Sequence, residues 1–70
     1  MASNAFEILR FNIKKYRKEK GLTQERLSEM ADISRDYLSN IERGKYTPSF
    51  KTIVALAEAI GIEPYLLLKE

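Results

Sequence analysis

Thr23-Gln24-Glu25-Arg26-Leu27-Ser28-Glu29-Met30-Ala31-Asp32-Ile33-Ser34-Arg35-Asp36-Tyr37-Leu38-Ser39-Asn40-Ile41-Glu42-Arg43-Gly44 is the stretch that decides the fold. Thr23 and Ser34 are residues of the kind that begin helices, because a side-chain oxygen there accepts a backbone N–H that the first turn leaves unpaired. They predict helices over Gln24–Ala31 and Arg35–Arg43, the second closed by Gly44. Leu27 and Met30 mark the inward face of the first helix. Leu38 and Ile41, with Tyr37 at their margin, mark that of the second. Asp32, Ile33 and the cap are all that separate the two, so these short helices must cross at a large angle.

Outward from this pair the same grammar repeats. Upstream, Phe6, Leu9, Ile13 and Tyr16 recur at steps of three and four, predicting an amphipathic helix over Ala5–Lys20 that Gly21 ends. Downstream, Lys45-Tyr46-Thr47-Pro48 reads as a loop. Ser49 then caps a helix whose stripe is Phe50, Ile53, Leu56, Ala57 and Ile60, stopped by Gly61. Pro64 suits the first turn of a last helix, Tyr65 to about Lys69. The expectation is a single all-α domain over residues 1–70, a five-helix bundle without strands. Residues 1–5 carry no weight in it, because Ser3-Asn4-Ala5 has the look of a tag remnant or a disordered end.

A chain of 70 residues buries only about 60% of the surface its unfolded form exposes. Small domains compensate with disulfides, metals, tight packing or a partner chain. Cysteine and histidine are both absent, which removes disulfides, the common zinc ligands, the usual general base and the best nucleophile together. With no glycine-rich phosphate loop and no inward carboxylate pair, the sequence points away from an enzyme. No metal, cofactor or small-molecule ligand is expected. No apolar run approaches the roughly 20 residues of a membrane span, and no signal-peptide core is visible, so a soluble cytoplasmic protein is expected. Net charge is only +2. Its distribution is more informative: Arg10–Lys20 holds six basic residues against one acidic, a net +5, whereas Lys51–Glu70 holds two against three, a net −1. One basic side suits contact with phosphates.

Gly21-Leu22-Thr23-Gln24, Leu27, Ile33-Ser34, the run Leu38–Gly44 and Pro48-Ser49, in this order and spacing, resemble the phage repressor and Cro-like (XRE) family of helix-turn-helix domains. The resemblance spans about Leu9–Leu67. It implies a lambda repressor-like bundle whose third helix enters the major groove of double-stranded operator DNA. The outward positions of that helix are Arg35, Asp36, Ser39 and Asn40, all able to hydrogen-bond base edges. The resemblance also gives Gln24 a backbone contact at the start of the second helix. Arg43, Lys45 and Tyr46 flank the end of the third helix and suit phosphate anchoring. Arg17 and Glu42 match a structural ion pair of the family, which makes Arg17 a scaffold residue and not a DNA contact. Two positions depart from the pattern. Ser28 stands where alanine is common, and Asp32 where glycine is common, at a turn needing positive φ.

One such domain makes few base contacts, so a homodimer on a palindromic operator is expected, with half-sites about 34 Å apart. Ile62, Tyr65 and Leu68 are the candidate dimer interface, because the short last helix carries more apolar residues than one small core can absorb. The function expected is a nucleoid-associated, sequence-specific transcriptional regulator, with the restriction–modification controllers the most similar in the third helix. The alternative is an antitoxin-like interaction module whose DNA binding is secondary.

Overall fold

The computed structural model describes residues 4–70 and contains four α-helices followed by one 3-10 turn: α1 (Ala5–Glu19), α2 (Gln24–Ala31), α3 (Arg35–Glu42), α4 (Phe50–Ile60) and the turn Pro64–Leu68. Within the tag-like stretch 1–5, Met1–Ser3 lie outside the described residues, and Asn4 and Ala5 form the start of α1. No strand occurs among the described residues. The all-α bundle expected from the sequence is the one formed, with one correction to the expected count. The fifth helix is 3-10 because Pro64 to Leu68 is too short to complete successive α-helical bonds, and the tighter i→i+3 pattern closes instead.

Hydroxyl caps set the starts. Thr23 Oγ1 accepts the Arg26 N–H at 3.0 Å, Ser34 Oγ the Tyr37 N–H at 3.0 Å, and Ser49 Oγ the Thr52 N–H at 3.1 Å. The turn between α2 and α3 depends on Asp32, which adopts φ 60° and ψ 44°. A left-handed conformation costs an L-residue roughly 1–2 kcal/mol, less for aspartate, whose short polar side chain suits it better than most.

Leu9, Ile13, Leu27, Ala31, Leu38, Ile41, Leu56, Ala57, Ile60 and Leu67 form one buried cluster. α2 packs on both α3 and α4, and α1 closes the bundle against α3 and the 3-10 turn. Three expected core residues lie outside it. Met30 is 42% exposed because Ser28 and Ala31, not Met30, flank Leu27 on the buried side of α2. Phe6 and Phe50 are 65% and 78% exposed. Each sits in the first turn of its helix, where the stripe runs past the end of the bundle.

Asn12 is buried on α1 and had no role in the sequence reading. Its Nδ2 lies 2.9 Å from the Leu67 carbonyl, 2.8 Å from that of Lys69 and 3.3 Å from that of Leu66. One amide thus gathers the carbonyls at the end of the 3-10 turn and ties the C-terminal segment to α1. Among the described residues no buried side-chain nitrogen or oxygen lacks a partner.

Candidate nucleic-acid interface

α3 is eight residues long, and its apolar side is set by Leu38 and Ile41, both fully buried. That phase turns Arg35 and Asp36 out into solvent and leaves Ser39 and Asn40 half-buried along the same outer side. Four hydrogen-bonding side chains therefore share one flank of a helix narrow enough for a major groove. A guanidinium and two amide or hydroxyl groups on that flank match the functional groups on base edges.

Behind this surface, α3 is anchored through a single residue. Glu42 is 6% exposed and accepts from Arg17 Nε at 2.7 Å and Nη2 at 3.1 Å, a two-pronged fork from α1. Such charge-assisted pairs are short and directional. Arg17 Nη1 donates to the Leu22 carbonyl at 2.9 Å, so each of its three nitrogens is engaged inside the domain. From α2, Gln24 Nε2 donates to Glu42 Oε1 at 3.0 Å. Arg17, Gln24 and Glu42 thus link α1, α2 and α3 at one point. Gln24 stands at the first residue of α2, with its amide already braced on the third helix.

Past the end of α3, Arg43 is the C-cap and Gly44 takes φ 81°. The Lys45 N–H bonds the Asn40 carbonyl at 2.8 Å, which folds the loop back onto the helix. Arg43, Lys45 and Tyr46 are all exposed, on one turn of chain. Tyr46 also packs on Tyr37, ring centroids 6.1 Å apart. Of the expected dimer residues, Tyr65 and Leu68 are 65% and 50% exposed, while Ile62 is half-buried against the core. Sequence reading missed Arg10. Its guanidinium reaches across to the Glu42 carbonyl at 3.5 Å, 32 residues away, and no local pattern announces such a contact.

Residues 13–67 match the helix-turn-helix family HTH_3, a span that takes in the Glu42 anchor and the whole outer flank of α3. The chain belongs to this helix-turn-helix family. It is 48% identical over 58 residues to the immunity repressor protein of Bacillus phage phi105, covering 83% of this chain and 40% of the repressor. The chain thus spans less than half of that relative. The restriction–modification controller protein C.AhdI from Aeromonas hydrophila superposes with a TM-score of 0.85 at 34% identity, covering 89% of this chain and 94% of the controller. SinR, the master regulator of biofilm formation, solved in complex with DNA, superposes with a TM-score of 0.82 at 35% identity, covering 87% and 98%. This helix-turn-helix chain is therefore an XRE-type DNA-binding domain, of the non-enzymatic kind found in transcriptional regulators and repressors. None of its described helices is long and apolar enough to cross a membrane.

Proposed function

We propose that this domain binds an inverted-repeat operator as a homodimer and regulates transcription there, with α3 in the major groove. The observation that carries the reading is the division of α3. Its outer flank offers Arg35, Asp36, Ser39 and Asn40, while its inner side is fixed by Leu38, Ile41 and the Arg17–Glu42 pair. Base edges are read by Arg35, Ser39 and Asn40, with Asp36 accepting from cytosine or steering Arg35. Gln24, Arg43, Lys45 and Tyr46 hold the flanking phosphates. The structure of SinR in complex with DNA, a neighbour in fold, supports DNA as the partner.

Two copies meet through Tyr65, Leu68 and the half-buried Ile62, and present their α3 helices to successive major grooves about 34 Å apart. Work on a chromosome or plasmid places the protein in the cytoplasm, at the nucleoid. A phage immunity repressor and a restriction–modification controller, both similar to this chain, offer the functional analogies.

The test is a titration of a labelled duplex carrying the inverted repeat upstream of the protein's own gene. A scrambled duplex of the same length is titrated beside it at two salt concentrations. A specific reader binds the repeat more tightly and loses affinity as salt rises, because phosphate contacts release counterions. Equal affinity for the two duplexes rejects the proposal. Sedimentation of the free protein and of the complex checks the stoichiometry of two chains per operator.

A further inference from the structure

Arg10 is half-buried on α1, one and two turns before the basic residues Lys14 and Arg17. Its side chain lies against the turn that ends α3. A Cβ built on Gly44 would stand 3.0 Å from Arg10 Nε and 3.1 Å from its Cδ. Gly44 is favoured by its φ of 81°, and a side chain there would also press on the end of Arg10, which would have to shift by a few tenths of an ångström. Yet that guanidinium does little within the fold. Among the described residues its single side-chain hydrogen bond, from Nη1 to the Glu42 carbonyl, is at the long limit of 3.5 Å. The ion pairs among the described residues are Arg17–Glu42 and Arg26–Glu29, so none of their carboxylates forms a direct ion pair with Arg10. A five-donor cation is held in place with most of its donors unused.

Those donors border a recess of about 210 Å³ at the C-terminal end of α3. Arg43, Tyr46 and Thr47 line its other side, and Glu7 contributes the one carboxylate. Two guanidinium groups against one carboxylate leave the lining at +1. We infer that Arg10 contacts DNA directly: with Arg43 it seats a backbone phosphate in this recess, at the end of the recognition helix. The inference rests on the DNA binding proposed above. A duplex that receives α3 in its major groove runs a phosphate strand past each end of the helix. The recess lies at one of those ends, beside Lys45 and Tyr46. Guanidinium groups suit this role because their planar fork matches two phosphate oxygens.

The experiment compares wild type, Arg10→Gln and Glu7→Gln on the inverted-repeat and scrambled duplexes across a salt series, with a thermal melt of each protein. Glutamine at position 10 keeps a donor for the Glu42 carbonyl and removes the charge. Arg10→Gln is expected to weaken both duplexes by the same factor and to flatten the log–log salt slope by about 1.8, because each of the two copies on the duplex gives up one phosphate contact. Glu7→Gln, at an exposed position, is expected to strengthen both duplexes. A salt slope unchanged in Arg10→Gln overturns the inference, whatever happens to affinity, because it leaves Arg10 a purely internal support for the turn. Should Arg10→Gln fail to fold, Glu7→Gln decides, and unaltered affinity for both duplexes overturns the inference. If wild type binds the repeat with a steep salt slope, either negative result rejects only this assignment. If wild type binds neither duplex, the regulator reading fails with it.

Discussion

α2 and α3 are near-twins by local measures: eight residues each, each begun by a hydroxyl cap accepting at 3.0 Å, each followed by a residue of positive φ within two positions. They differ in how they are held. α2 buries Leu27, Ser28 and Ala31 and lies against α4 and α3; its side chains form no ion pair with another helix, and Gln24 ties it to α3 by one hydrogen bond. α3 buries Leu38 and Ile41 but is also gripped by Arg17 and Gln24 through Glu42. Apolar packing tolerates small slides, whereas a bidentate ion pair fixes rotation and register. The helix proposed to read bases has the bidentate, directional anchor.

The sharpest way to break this contrast is to remove that anchor. Arg17→Ala leaves the Glu42 carboxylate buried without its cation, and an unfolding titration should show a loss of about 3–5 kcal/mol. A loss under about 1 kcal/mol would mean the pair behaves like an exposed one, and the two helices would then be held alike. Next in size, Arg35→Ala and Asn40→Ala on α3 should each cost about 1–3 kcal/mol of operator binding and relax preference at one base pair. Glu25→Ala and Glu29→Ala on α2 should leave base preference unchanged, as competition against single-substitution operators can establish. The caps should fail equally: Thr23→Ala and Ser34→Ala are each expected to cost about 1 kcal/mol of stability in denaturant titrations. Smallest of all, Asp32→Gly should raise stability by about 0.5 kcal/mol, as relief of the left-handed strain outweighs the added unfolded-state freedom.

Much of the fold was legible because its signals are local. Thr23, Ser34 and Ser49 each act on an N–H three residues away, and Gly44 and Gly61 each end a helix in place. Periodicity gave the phase of each stripe but not its extent, which is why Phe6 and Phe50 were expected inside. In α2 it missed Ser28, whose hydroxyl turns back to the Glu25 carbonyl at 2.8 Å and so lets a polar residue enter the core. The outer flank of α3 followed from Leu38 and Ile41, so the exposure of Arg35 and Asp36 beside the half-buried Ser39 and Asn40 was readable before any coordinates. Arg10 and Asn12 were not, because their partners lie 32 and 54–57 residues away and come together only in the assembled bundle.

The convergence on Glu42 has one more consequence. The side chains that hold α3 in place and those proposed to meet bases are different residues of one short helix. Arg35, Asp36, Ser39 and Asn40 can therefore be exchanged as a set without disturbing the grip of Arg17 and Gln24. Target preference is separable from architecture here, so a new binding sequence can be acquired, by drift or by engineering, on an unchanged frame.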